Sequence, residues 1–261
     1  MNMKRFLEKG YDIIPAENKS KLFELKEKIF QKSKQLVEYQ NEDMDEFFNK
    51  FHKYGLKGSA LNEKRLEIIK YCTENLNVGK TVFEAFEKSI TEFVGPDIVT
   101  QKTTNLVIQQ PNDPDATGTH RDSPLNSPFE IVVWLPLVDV YGTKSMYIVE
   151  HKKVNEALEL LKNSDSGFRD FSEFASNEGE NLEVPFGSAV FFWPGLVHGI
   201  HVNKEDETRW TLNMRYKSIF SPCGSKGLVE FFDLLRLSPL SQMAFEYEKE
   251  AYINEELLLV H

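Results

Sequence analysis

The sequence predicts an α+β protein in which a block of helices precedes an antiparallel barrel or jelly roll, with a short helical tail behind it. Three observations predict this. Apolar residues recur at intervals of three and four as far as residue 94, the period changes to two from Asp97 onward, and the strand-like runs are short and do not alternate with helices.

Taken in order, residues 1–95 form the helical part. Leu22, Leu25, Ile29, Leu36 and Val37 lie at helical spacing, as do Phe83, Phe86, Ile90 and Phe93, and Pro15 and Gly95-Pro96 bracket the block. A turn is expected at Tyr54-Gly55-Leu56-Lys57-Gly58, with the next helix opening around Asn62. Strands are expected over 105–110, 129–137, 145–149, 189–193 and 210–216, where β-branched and aromatic residues alternate with others. Proline, glycine, asparagine and aspartate at 111–115, 141–142, 185–187 and 194–195 supply the turns between them. One insertion, 152–181, interrupts the strands: Val154, Leu158 and Leu161 have helical spacing, and the polar stretch 164–181 is expected to be mobile. The strand-rich core thus spans 96–220, and the tail 221–261 returns to helix at Leu228-Val229-Glu230-Phe231-Phe232. One domain accounts for the whole.

Composition narrows the partners. Thirty-one basic against 41 acidic residues give a formal charge of −10 over 261 residues, and an acidic surface is poorly suited to nucleic acid or an anionic membrane. No apolar run reaches the roughly 18–20 residues that span a bilayer, and the opening residues lack the apolar segment of a signal peptide. Cys72 and Cys223 have no metal-type spacing and are expected to be inert, reduced thiols, which fits a cytoplasmic protein. A small-molecule substrate is the expected partner.

Nucleotide-loop, dinucleotide, zincin and nucleophile-elbow motifs are all missing, which leaves six histidines to consider. In Thr119-His120-Arg121-Asp122 an imidazole and a carboxylate stand two residues apart and project to one face of an extended chain. Such a pair is two-thirds of the 2-His-1-carboxylate set that holds iron(II) and leaves three coordination positions open. Alone the pattern is weak, and a surface histidine beside a turn aspartate reads equally well. A second stretch is more specific. Phe191-Phe192-Trp193-Pro194-Gly195-Leu196-Val197-His198-Gly199 carries an apolar strand through a turn to a histidine, and 209–216 returns as a strand with Arg209, Thr211, Asn213 and Arg215 on one face and Trp210, Leu212 and Met214 on the other. In a plain sandwich the polar face is solvated. In a barrel it would line the mouth, with Arg209 a fixed cation for a dicarboxylate and Thr211 beside it. His201 competes with His198 as the distal ligand, but three residues of extended chain point the two apart, and His198 follows the apolar run directly.

Together, His120-Arg121-Asp122, His198 to Asn203 and Arg209-Trp210-Thr211 resemble the motif set of the iron(II) and 2-oxoglutarate-dependent dioxygenases, in particular the phytanoyl-CoA dioxygenase-like branch. More narrowly, His120-Arg121-Asp122-Ser123, Trp134-Leu135-Pro136-Leu137, Ser145-Met146-Tyr147 and 209–216 look like oxygenases of bacterial carbohydrate-biosynthesis clusters, from which the chain departs at Val107, where those relatives tend to carry arginine. The resemblance covers about 100–220. It implies a double-stranded β-helix (jelly roll, cupin-like) core with the N-terminal helices packed on one sheet. It implies His120, Asp122 and His198 as ligands of Fe(II), Arg209 and Thr211 as the anchor of 2-oxoglutarate, and O2 as the second cosubstrate. Trp134 is either core filler or, as the resemblance suggests, a wall of the cosubstrate pocket. The implied reaction couples decarboxylation of 2-oxoglutarate to succinate with oxidation of a substrate C–H bond. An aspartate at the carboxylate position leaves no place for chloride and so favours hydroxylation. A sugar or nucleotide-sugar is the implied substrate class, and Arg121, Arg215, Lys144 and Lys102 are candidates for an anionic group on it. Two other readings compete: a cupin-type metal-dependent lyase or isomerase without 2-oxoglutarate, and a noncatalytic carbohydrate-binding jelly roll.

Overall fold

The computed structural model describes residues 3–37, 39–114, 118–163 and 166–253, with side chains as far as 247. The chain opens with α1 (Met3–Lys9) and β1 (Tyr11–Pro15). Helices α2 (Lys19–Leu36), α3 (Met44–Asn49), α4 (Gly58–Tyr71), α5 (Val78–Ala85) and α6 (Glu87–Val94) follow. Then come β2 (Ile98–Gln101), β3 (Asn105–Gln109), β4 (Ile131–Pro136) and β5 (Met146–Ile148). A helical pair, α7 (Val154–Asn163) and α8 (Gly167–Glu178), leads to β6 (Glu180–Asn181), β7 (Ser188–Phe192), β8 (His198–Ile200) and β9 (Arg209–Ser218). The chain continues through α9 (Leu228–Phe231), β10 (Phe232–Arg236) and α10 (Pro239–Ile253).

The strands form two antiparallel sheets. The larger runs β1-β7-β4-β9-β2-β10 with β3 also paired to β9, and the smaller is β6-β5-β8. Strand β9 is the spine of the larger sheet. Its first half pairs with β3 from Asn105↔Asn213 to Gln109↔Arg209, its second half pairs with β2, and its other edge holds β4. Helices α3, α5 and α6 lie on this sheet against β9, β2 and β4. Apolar residues of β9 drive that packing: Trp210 is fully buried among Phe47, Phe48 and Phe51, with ring centroids 4.8–6.4 Å away. Tyr216 is buried on the same face and donates its hydroxyl to the Gly79 carbonyl of α5 at 2.8 Å. Because the helices take this face, the opposite face of β9 turns toward the smaller sheet.

Several elements depart from the expectation. Residues 11–15 lie inside the part read as helical, yet they form an edge strand paired to β7 from Tyr11↔Phe192 to Pro15↔Ser188. The run is too short to show a period, and tertiary pairing decides it. Strands β2 and β8 were not expected, since four and three residues carry too little pattern, and β10 replaces helix in the tail by pairing with β2. Within the insertion, 167–178 is helical rather than irregular, because Phe171 and Ala175 bury one face while α8 packs on α7. Among the described residues no helix is long and apolar enough to cross a membrane.

Candidate metal centre

Main-chain hydrogen bonds bring the distant motif residues together. His120 and His198 exchange both backbone bonds, N–H to carbonyl at 2.9 and 3.0 Å, as an isolated antiparallel bridge. Three residues on, the Ser123 N–H donates to the Pro194 carbonyl at 2.9 Å, while the Asp122 carbonyl begins a turn by accepting from the Asn126 N–H at 3.0 Å. Strand β8 is fixed in turn by β5, where Ile148 opposes His198 and Tyr147 opposes Gly199. Glycine is required there, because a Cβ at Gly199 would overlap the Tyr147 hydroxyl and press on the Thr119 backbone. That hydroxyl is already engaged with Thr119 Oγ1 at 2.7 Å.

The side chains converge accordingly. One ligand-type atom each from His120, Asp122 and His198 lies within 4.8 Å of the others, and the imidazole centroids are 4.3 Å apart. His120 Nδ1 donates to the Gly118 carbonyl at 2.8 Å and His198 Nδ1 to the Leu196 carbonyl at 3.0 Å. A carbonyl only accepts, so Nδ1 carries a proton in each ring and Nε2 is the nitrogen left to meet a cation. His120 Nε2 stands 3.7 Å from Asp122 Oδ1, and the other carboxylate oxygen, Oδ2, accepts from Arg215 Nη2 at 2.9 Å. Two imidazoles and one carboxylate, with no further ligand-type residue in the group among the described residues, are a donor set that fits iron(II) and leaves positions for a chelating cosubstrate.

Burial, followed by the adjacent His120, pushes the His198 imidazole down to about 4 from an ordinary 6.5. The unfolded chain therefore takes up a proton at His198 between about pH 6.5 and 4 that the native site resists, so native stability is complete above this window and falls as pH drops through it. Burial lowers His201 and His52 in the same direction. We expect metal-free protein to lose on the order of 3 kcal/mol through His198 across that window. Urea melts between pH 7.5 and 4.5 should show the slope, and His198→Gln should make it shallower; equal slopes would remove His198 as its source.

A cavity of about 140 Å³ lies between the two sheets, lined by His120, Asp122 and His198 together with Arg209, Thr211, Asn213, Arg215 and Trp134. The polar face of β9 is thus an interior face and not a solvated one. Arg209 and Thr211 are each 1% exposed, whereas the His120 side chain is 40% exposed and marks the mouth. Arg209 is the unusual member. Its Nε and Nη1 have no hydrogen-bond partner, and burial alone lowers it to about 9, so it remains a cation at neutral pH without a described counter-ion. Trp134 is buried in the core and also lines this cavity, so both of its readings fit the position it takes.

Other motif residues have different tasks. His201 stays out of the cluster: its ring packs at a tilt against Tyr147, with centroids 4.6 Å apart, and its carbonyl accepts from Gln109 Nε2 at 2.7 Å. Asn203, fully buried, staples its loop by donating to the Glu207 carbonyl at 2.7 Å and accepting from the Glu205 N–H at 3.1 Å. Of the four basic residues considered for a substrate anion, three are engaged elsewhere. Arg215 binds Asp122, Lys144 is buried on Glu207 and Asn49, and Lys102 binds the Val229 carbonyl. Cys72 is buried and its thiol is pushed up to about 12, in keeping with an inert group, while Cys223 lies 3.1 Å from Lys217 Nζ. The sequence reading missed Gln101 and Glu130, which brace Arg215, and Asn105, which lines the cavity opposite Asn213. Strand parity with Val107 could have found Asn105; nothing in the sequence marks the other two.

No protein-family model matches the chain, and no curated protein matches it. Solved structures do. The nickel complex of the non-heme monooxygenase ThoJ is similar with a TM-score of 0.52 and 14% identity, over 90% of this chain and 83% of that one. SnoK, a non-heme alpha-ketoglutarate-dependent carbocyclase from nogalamycin biosynthesis, is similar with a TM-score of 0.52 and 13% identity, over 89% and 94%. At such identity the shared property is the fold, a mixed helical and antiparallel-sheet architecture also used by non-haem oxygenases.

Proposed function

We propose that this chain is a non-haem iron(II) and 2-oxoglutarate-dependent oxygenase, a single catalytic domain built on a double-stranded β-helix, which hydroxylates a small molecule. The observation that carries the reading is Arg209: a buried, unpartnered guanidinium in the same small cavity as a His-Asp-His cluster. An isolated buried charge is costly unless something completes it, and a dicarboxylate that chelates the metal at one end and meets the guanidinium at the other does so. The cavity is small beside the roughly 300–1,000 Å³ of drug-sized ligand sites, which suits an organic acid of a few carbons inside and the substrate at the mouth.

In this reading His120, Asp122 and His198 hold iron(II), and Arg209 with the Thr211 hydroxyl holds the far carboxylate of 2-oxoglutarate. Bound iron with 2-oxoglutarate and O2 supplies oxidative decarboxylation to succinate, coupled to oxidation of a substrate C–H bond. The protein's own contributions are placement and dryness. Trp134, Phe192 and Met146 line the cavity and keep water from the reacting end, so the Arg209 contact is made in a medium of low polarity. His120, at the exposed rim, marks where the substrate must approach.

A metal-dependent lyase would use the same three ligands but leaves Arg209 without a role. Against a carbohydrate-binding module, Trp134 faces the cavity and Trp210 is buried under helices, so neither offers an open platform for a sugar ring. The motif set His120-Arg121-Asp122, His198 to Asn203 and Arg209-Trp210-Thr211 supports the phytanoyl-CoA dioxygenase-like branch. Small-molecule biosynthesis, with a sugar or nucleotide-sugar as acceptor, is the substrate class we propose, and Arg121 beside His120 is the basic residue left to meet an anionic group on it. Anaerobic iron-loaded protein should develop a visible charge-transfer band on titration with 2-oxoglutarate, and in air it should release succinate slowly without its substrate. Absence of the band would overturn the assignment.

A further inference from the structure

The ion chain behind Asp122 is more elaborate than holding one carboxylate requires. Arg215, on the cavity face of β9, donates Nη2 to Asp122 Oδ2 at 2.9 Å and Nη1 to Gln101 Oε1 at 3.0 Å, and its Nε lies 3.7 Å from Glu130 Oε2. Its side chain is 8% exposed, that of Asp122 11% and that of Glu130 not at all. Gln101 is itself fixed by its donation to the Thr103 carbonyl, and Glu130 accepts from the Ser127 N–H at 3.2 Å. The guanidinium is therefore held from strand β2, from strand β9 and from the segment that follows Asp122. It has little freedom to leave.

We propose that Arg215 is a positioning residue that makes Asp122 a one-oxygen metal ligand, by occupying Oδ2 so that Oδ1 alone faces the two imidazoles. The inference rests on the metal-centre reading above and extends it to a residue outside the three ligands. A carboxylate free to rotate can bind a cation through both oxygens and so use a coordination position that the cosubstrate needs. Here one oxygen is engaged in a charge-assisted bond, and the planar guanidinium fixes the plane of the carboxylate as well as its charge. Glu130 balances the second half of the chain, so that Arg215 is neutralised without drawing on the oxygen that faces the metal.

Cobalt(II) is the probe, because its visible spectrum reports coordination number without turnover. Wild-type protein should bind cobalt(II) with one equivalent per chain. Arg215→Met should weaken binding by roughly 10–100-fold, the usual cost of removing an outer partner of a ligand, and should change the visible spectrum. Because that variant strands buried Glu130, the paired variant Arg215→Met/Glu130→Gln removes both charges together. A merely structural role would be repaired by the pair, which would regain wild-type affinity and spectrum. The proposal requires the pair to recover thermal stability while affinity and spectrum stay altered. Arg215→Lys, which keeps the charge and loses the fork, should bind with intermediate affinity. Wild-type protein that binds no cobalt would remove the metal centre and this inference with it. Wild-type binding matched by both Met variants would remove this inference alone.

Discussion

Arg209→Met is expected to abolish 2-oxoglutarate binding and, in the same protein, to raise its melting temperature in the absence of ligand. Both effects come from the same fact, a guanidinium that is 1% exposed and has two donors without partners. With the dicarboxylate bound, removing its cationic partner leaves a buried carboxylate uncompensated, which costs about 3–5 kcal/mol, or roughly 200- to 5,000-fold in affinity. Without the dicarboxylate the charge itself is the burden, and methionine fills a similar volume with an adaptable apolar chain. Replacing buried charge by packed apolar groups stabilises by about 1–4 kcal/mol in known cases, and each kcal/mol moves the melting point of a chain this long by about 2–4 °C. Calorimetric titration of the iron-loaded protein and melting of the free protein read the two effects separately. Retained 2-oxoglutarate affinity would move the anchor to another residue, and a lowered melting point would mean that Arg209 has a structural partner.

The second large effect belongs to the histidines. His198→Ala should eliminate metal retention, a larger loss than the roughly 10–100-fold expected for an outer partner. His201→Ala should keep the metal, since its ring packs against Tyr147 and is not part of the cluster. Metal content after desalting distinguishes them, and the reverse pattern would exchange the roles of the two residues. Because the His198 backbone pairs with both His120 and Ile148, shortening its side chain leaves the bridge intact, so loss of metal will report the ligand and not a collapsed site.

What could be read before the structure was the chemistry of side chains carried on strong periodic patterns. The two-residue alternation of 209–216 placed Arg209, Thr211, Asn213 and Arg215 on one face, and all four line the cavity. The spacing of His198 and His201 separated a cluster residue from one packed against Tyr147. Short strands escaped notice, because β1, β2 and β8 are defined by their partners and not by a pattern of their own. The role of Arg215 was also out of reach. It was a candidate for a substrate anion by its charge, and only the approach of the 122–130 segment to β2 and β9 shows it bound to Asp122, Gln101 and Glu130. Sequence carries residue type and parity, whereas a network between three segments exists only once they are folded together.

His120 and His198 are joined by a reciprocal pair of peptide hydrogen bonds, which separates metallation from folding. Where a cation must gather its ligands from a loose chain, much of its affinity is spent on ordering, and its removal unfolds the domain. Here the imidazoles are already in register as a consequence of sheet assembly, and each ring is turned by its own carbonyl partner. On the proposed reading, removing the metal from a centre of this construction should leave the fold standing, and melting of metal-free and metal-loaded protein should differ only by the free energy of binding.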